Sequence, residues 1–231
     1  KNRTFKRYAQ QQGLLDKDIR CILVDNKNTK WLGTTTGLIS FADNQFRKYQ
    51  IKKDHNSNLI ECLFQDYENN LWIGSYAGLY KYRGNPFAIF GANEGLSSTF
   101  VIGVYRDLKN VLWVGTQDGG LFRYKNNGFI QFNEQNGLKA KTVNAIFEYV
   151  PQVLWLATDQ GLTIYDGKNF IKQKDSTDVF SRSINCFYRD SKNNIWIGGK
   201  NKLFKYDGKH FSQYTFKCRN DNYEIWSIVE D

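Results

Sequence analysis

The 231-residue sequence has no methionine, two prolines, two histidines and four cysteines. Each scarcity removes a class of answer. No run approaches the ~18 apolar residues of a membrane-spanning helix, so no membrane insertion is expected of this segment. No basic, apolar, small-residue leader opens at Lys1, and with methionine absent the sequence reads as a mature or excised piece. Histidine is limited to His55 and His210, a thin supply for a catalytic base or a metal site. No histidine or cysteine pair has metal-ligand spacing, and neither a metal nor a cofactor is expected. The remaining composition, 16% aromatic with nineteen glycines, suits a strand-rich protein with many tight turns.

The cysteines do not form a disulfide framework. Cys21, Cys62 and Cys186 each stand four residues before Asp25, Asp66 and Asp190, where other stretches carry Gly103, Ala145 and Ser227. That position asks for a small side chain in a packed strand, which a free thiol supplies. Cys218 lies outside the pattern. The net charge of +9 comes from lysines scattered among asparagine-rich turns, not gathered in one stripe. It is a solvated basic surface, and no nucleic-acid partner is expected.

Trp31, Trp72, Trp113, Trp155 and Trp196 recur at steps of 41, 41, 42 and 41 residues, each opening a Trp-apolar-(Gly/Ala) stretch. A fixed period in the 40s marks an array of small supersecondary units. Each period holds four strand signals. The first is a nearly continuous apolar run ending near an acid, such as Ile60-Glu61-Cys62-Leu63-Phe64-Gln65-Asp66. The tryptophan strand follows an Asn/Lys turn, then come a Gly-Leu-x-x-aromatic strand and a fourth strand with paired aromatics. Asp166-Gly167 and Asp207-Gly208 read as two-residue hairpin turns. Four short strands repeated at this period are the blades of a β-propeller, an all-β fold.

Five complete blades are expected near 19–49, 60–90, 101–132, 143–173 and 184–214. Phe5 and Tyr8 stand 41 residues before Phe46 and Tyr49, so the chain is expected to open in a fourth strand. Residues 225–230 are expected to form a first strand. The whole of 1–231 reads as one β-propeller belonging to a larger six- or seven-bladed one. The fourth unit departs from the pattern: Tyr149 replaces the acid, Ala157 the glycine, and Pro151 falls in the turn.

The unit Asp-x-x-x-Asn-x-Trp-Ile-Gly-(Thr/Ser)-x-x-Gly-Leu-x-x-Tyr, clearest over 66–82, resembles the two-component regulator propeller repeat over essentially the whole chain. None of the six tryptophans precedes aspartate, unlike a WD40 repeat. Asp66 lies six residues before Trp72, against five in a sialidase-type Asp-box. The resemblance implies the periplasmic or extracytoplasmic sensor region of a Bacteroidetes hybrid two-component protein, ahead of a membrane helix and a histidine kinase. Any homodimer would run through that parent sensor. It implies a non-enzymatic, ligand-sensing domain, with an oligosaccharide as the expected small-molecule ligand. The alternatives are an interaction scaffold of a surface or secretion complex and, third, a propeller lyase in which His55 would serve.

Asp25, Asp66, Asp107 and Asp190 invite a calcium reading, yet their place at turn starts reads better as Asx-type turn bonding. His210 reads as a hairpin residue. The functional candidates are positions where the repeats differ. The second residue of each first strand gives Arg20, Glu61, Ile102, Asn144, Asn185 and Trp226. The loops after the tryptophan strands give Tyr76, Gln117, Asp118, Asp159, Gln160 and Lys200. Amides, acids, cations and aromatics converging on one mouth suit hydrogen bonding and stacking with a sugar. Taken singly, each also reads as a solvated loop residue.

Overall fold

A computed structural model of the chain describes residues 6–14, 16, 18–51, 58–84, 87–171, 178–216 and 223–230. His55, Cys218, Phe5 and Asp231 lie outside these residues. The fold is all-β: five four-stranded antiparallel blades of a propeller, each with its strands in chain order. The first holds β1 (Ile19–Val24), β2 (Lys30–Thr34), β3 (Gly37–Ala42) and β4 (Gln45–Tyr49). The second holds β5 (Ile60–Gln65), β6 (Leu71–Ser75), β7 (Gly78–Tyr82) and β8 (Ala88–Phe90). The third comprises β9 (Val101–Arg106), β10 (Leu112–Thr116), β11 (Leu121–Lys125) and β12 (Gly128–Phe132). Then come β13 (Val143–Val150), β14 (Val153–Thr158), β15 (Gly161–Tyr165) and β16 (Phe170–Ile171). The last blade is β17 (Ile184–Arg189), β18 (Ile195–Gly199), β19 (Lys202–Tyr206) and β20 (Phe211–Tyr214). Packing divides the chain into two compact units, Lys1–Gly91 with Thr99–Val101, and Ala92–Ser98 with Ile102–Asp231.

The repeat aspartate does two jobs. One carboxylate oxygen closes the turn after the first strand: Asp66 Oδ1 accepts the N–H groups of Glu68 (3.0 Å) and Asn70 (2.9 Å). The other accepts from the indole six residues on, Trp72 Nε1 at 2.7 Å. The same indole bond joins Trp31 to Asp25, Trp113 to Asp107 and Trp196 to Asp190, at 2.8–2.9 Å. Asn28, Asn69, Asn110 and Asn193 take the left-handed residue of each turn, with φ of 62° to 65°, a conformation asparagine tolerates well. Burial pushes the Asp190 carboxyl up, but the bonds from Asn194, Trp196 and the backbone outweigh it and hold the pKa at about 2. The same opposition, burial against hydrogen bonds led by Trp31, lowers Asp25.

In the first unit, β5 packs across β1 and β2. The glycine of Trp-x-Gly is the seat of that contact. A Cβ built on Gly33 would lie 2.6 Å from Ile60 Cγ2 and closer still to Cys21 Sγ, its cross-strand partner. Gly74 faces Cys62 and Val101 in the same way. Cys21, Cys62 and Cys186 are free thiols filling this tight position. Burial pushes Cys21 up to about 12 and Cys186 up to about 11, and puts Cys62 well above its ordinary value. Trp31 meets Tyr82 of the next blade edge-on at 5.7 Å.

The second unit repeats the device. Trp113 meets Tyr165 at 5.6 Å and Trp155 meets Tyr206 at 5.2 Å, both edge-on. These tryptophans are buried, and each such burial is worth about 1.5–3 kcal/mol. The fourth blade keeps its four strands through a substitute lock. Tyr149 lies flat on Trp155, with centroids 4.7 Å apart and planes 18° apart. Gln152 takes the left-handed turn position at φ 72°, and its N–H donates to Glu148 Oε1 at 2.9 Å. Ala157 pairs with Ala145, so neither needs to be glycine.

Three local expectations are corrected. Residues 6–9 are not a strand; Tyr8 packs on Phe41 and Phe46, and a 3₁₀ turn follows at Gln10–Gln12. Residues 225–230 form no regular strand, only a bridge between Lys200 and Glu224 just before them. The Asp-Gly hairpins are four-residue loops: Tyr165 pairs with Phe170 and Tyr206 with Phe211. Their aspartates cap two N–H groups each, which favours the longer loop. The His210 N–H is one of those capped, as suits a hairpin residue. True two-residue turns occur at Asp43-Asn44 and Asn126-Asn127, all four residues with φ between 50° and 62°.

Candidate functional site

Two features bring the candidate residues to one end of their blades. First, register slips at the second residue of the first strand: Ile19 and Cys21 pair with Thr34 and Gly33, leaving Arg20 unpaired. Glu61, Asn144 and Asn185 occupy the same slip. Such a bulge re-aims its side chain out of the pleat. Second, the residue after the tryptophan strand donates its N–H to the carbonyl just ahead of the first strand. Tyr76 donates to Leu59 (3.2 Å), Asp159 to Thr142 (3.3 Å) and Lys200 to Ser183 (3.2 Å). The loops hold shape through a buried hydroxyl: Thr158 Oγ1 donates to Gly161 O at 2.6 Å and accepts from the Gln160 N–H at 3.2 Å.

In the first unit, Arg20 and Glu61 meet. Arg20 Nε and Nη2 donate to both Glu61 oxygens, the shortest contact being 2.8 Å. Sequence reading named both residues but not their pairing, which joins positions 41 residues apart. Half-exposed Tyr76 contacts Phe100, centroids 4.9 Å apart.

In the second unit, Asn144 Nδ2 donates to Ile184 O at 2.7 Å and reaches Asn185 Oδ1 at 3.4 Å. Asn185 is buried, and its own Nδ2 has no protein acceptor. Around them, Thr142 Oγ1 donates to Gln117 O, and Gln160 Nε2 donates to Lys139 O at 3.1 Å. These bonds tie the third-blade loop, the segment before β13 and the fourth-blade loop into one platform. Beside it lies a recess of about 410 Å³, lined by Asp118, Gln131, Glu134, Lys139, Lys141 and the small residues Gly119, Gly120 and Ala140, among others. Gln131 is fixed there, donating to Gly119 O at 2.9 Å. Gln117, Asp118, Asp159 and Gln160 therefore gather as a group. Lys200 and Trp226 stand apart from the recess; Trp226 is 65% exposed, following Ile225, which packs on Gly198. Ile102 is half-buried.

The recess residues Gln131, Lys139 and Lys141 escaped sequence reasoning. Their signal was the connecting segment, where a 3₁₀ turn at Glu134–Asn136 ends in Gly137 and buried Leu138. A second missed position lies at the end of the first strand. Gln65 accepts the Asn26 N–H (3.0 Å), and Glu148 accepts the Leu108 N–H (2.8 Å), clasping one blade to the previous one. Chemically, the recess offers carboxylates, ammonium groups and amides beside small residues, a mixed set of hydrogen-bond donors and acceptors. Among the described residues no group of three or more His, Cys, Asp or Glu could hold a metal ion. Among them, no helix is long and apolar enough to cross a membrane.

The two-component regulator propeller family matches residues 54–77 and 178–201. Among solved structures, an extracellular domain assigned to a hybrid two-component system of B. thetaiotaomicron is 24% identical, with a TM-score of 0.72 over 87% of this chain. A second extracellular domain from that organism, assigned to a one-component system, is 18% identical at a TM-score of 0.75 over 89% of this chain. The chain spans 29% and 32% of those two domains. Virginiamycin B lyase from Staphylococcus aureus is 12% identical at a TM-score of 0.70, with 90% of this chain and 73% of the lyase covered. At these identities the likeness is one of fold. No curated protein matches the chain.

Proposed function

Because the chain carries two-component regulator propeller repeats, we propose that it is the ligand-recognising part of an extracytoplasmic sensor and that its ligand is an oligosaccharide. The observation that carries this reading is the polar recess beside the tied loops, with Asp118 and Lys139 on its rim. Hydroxyl groups of a sugar can both accept from lysine and donate to carboxylate, so alternating charges suit them better than they suit an ion of one sign. The reading is of a binder, not a catalyst: the charged groups named at the first-strand bulges are engaged with each other, as Arg20 is with Glu61. Signal output would belong to other domains of a parent protein.

Calorimetric titration against a panel of neutral and acidic oligosaccharides tests the proposal. One panel member should bind the wild type, and Asp118→Ala with Lys139→Ala should weaken it by at least about tenfold, the loss of two hydrogen bonds to polar groups. No binding across the panel, or equal binding by the double variant, would overturn it. Turnover of a bound sugar by elimination would favour the lyase reading instead.

A further inference from the structure

Lysines that are scattered along the sequence are gathered by the fold of the second unit. Its blades are antiparallel with strands in chain order, so the turns β9–β10, β13–β14 and β17–β18 share one end with the hairpins β11–β12, β15–β16 and β19–β20. The recess, built from the β10–β11 loop and the β12–β13 connection, lies at the other end. Two contacts between blades hold the turn ends side by side: the Leu108 N–H bond to Glu148, and Arg189 Nη2 donating to Tyr149 O at 2.8 Å. Four of these turns carry Asp-x-Lys, at 107–109, 166–168, 190–192 and 207–209.

In all four the acid serves its own turn and the cation faces solvent. The aspartate Oδ1 accepts the backbone N–H of the lysine itself, at 3.0 Å from Lys109 and Lys192 and 2.9 Å from Lys168 and Lys209. It accepts a second N–H from Val111, Asn169, Asn194 or His210, at 2.7–2.8 Å. Capping thus meets the carboxylate with amide dipoles and fixes the lysine backbone, while the side-chain stem stays free. All four lysines are exposed, and among the described residues none of their ammonium groups has an ion-pair partner. Lys125 is exposed at the same end, where β11 turns into β12. Two apolar tips stand among them: Leu108, 64% exposed, and Val150, 43% exposed, on neighbouring turns tied through Glu148.

We propose that this turn end of the unit is a docking surface for an anionic lipid leaflet. Lysines on separate turns present point charges on flexible stems, which suits a plane of mobile headgroups and offers none of the forked contacts of a defined anion site. An anionic membrane surface attracts each such lysine and also takes apolar side chains in among its headgroups, which gives Leu108 and Val150 a place to go. A linear polyanion tracks along charges and has nothing for an exposed leucine to enter. The surface is independent of the recess, since it lies at the opposite end of the blades and uses none of the same residues.

Vesicle flotation of the 231-residue chain tests the surface. The wild type should float with phosphatidylcholine vesicles doped with phosphatidylglycerol and not with phosphatidylcholine alone, and added salt should release it. Changing Lys109, Lys168, Lys192 and Lys209 together to glutamine keeps every backbone cap, so the variant should melt as the wild type does. It should bind at least about tenfold more weakly, each lysine near an anionic surface being worth about fivefold before screening. Leu108→Ser should weaken binding several-fold at unchanged charge. Lys200→Gln with Lys202→Gln, at the opposite end, should change it by less than about twofold. No flotation with the anionic vesicles, or equal binding by the four-lysine variant, would overturn the proposal. Capture by soluble dextran sulfate without vesicle binding would also overturn it and assign the end to an acidic polysaccharide.

Discussion

Gly74→Ala tests the packing logic of the repeat most sharply. The added Cβ would stand 2.7 Å from Val101 Cγ1, 3.0 Å from Val101 O and closer again to Cys62 Sγ. Val101 is fully buried and belongs to the strand that Gly74 supports, so relief requires backbone movement, not a rotamer change alone. Overpacking of this kind costs about 1–3 kcal/mol, and three simultaneous short contacts place Gly74→Ala in the upper half of that range. At ~2–4 °C per kcal/mol for a chain of this size, Tm should fall by roughly 4–12 °C. The fourth blade shows the compensation, since Ala157 faces Ala145 there. Cys62→Ala should therefore restore part of the loss, and the double variant should be more stable than the sum of its singles by about 1 kcal/mol. Gly91→Ala, where an added Cβ has nothing within 4 Å, is the neutral control. Calorimetric melting of the four variants decides it. A Gly74→Ala protein within about 0.5 kcal/mol of wild type, or strict additivity with Cys62→Ala, would refute the reasoning.

The aspartate–indole lock gives two further predictions. Trp72→Phe keeps the ring but removes the N–H donated to buried Asp66, and should cost about 1–3 kcal/mol in urea unfolding; a loss below that range would mean the bond is incidental. Asp190, with a folded pKa of about 2 against an ordinary ~3.9, contributes stability that is complete above pH ~4 and is lost as pH falls through about 2. Asp190→Asn should flatten that acid limb of a Tm-against-pH curve, and an unchanged limb would contradict the assignment. The thiols of Cys21, Cys62 and Cys186 should resist iodoacetamide at pH 8 in the native protein and react once it is unfolded; rapid native labelling would show the seats to be open.

Much of the architecture was legible because the period is carried by large residues. Each tryptophan marks a strand, each Gly-Leu the next, and four-stranded blades follow from their spacing. Other features were hidden because they join residues in different repeats or across odd local spacings. The Asp66–Trp72 bond spans six residues and a strand start, which no turn rule covers. Arg20 and Glu61 were visible as variable positions, but only the bulge in adjacent blades aims one at the other. The clasps of Gln65 and Glu148 depend on the neighbouring blade's turn. Asp-Gly pointed to two-residue turns at 166–167 and 207–208, where capping by the aspartate selects four. The recess was half legible: Asp118 was named from its loop, while Lys139 and Lys141 come from a connecting segment with no repeat signal of its own.

The claim that most needs a direct test is that the recess and its tied loops bind a sugar. Amide NMR of the labelled chain, with the oligosaccharide panel added pool by pool, addresses it. The account predicts shifts gathered at 117–120, 131–141 and 159–160, extending to the Asn185 side-chain amide. Shifts confined to the fourth strands β4, β8 and β20, or no shift with any pool, would contradict it.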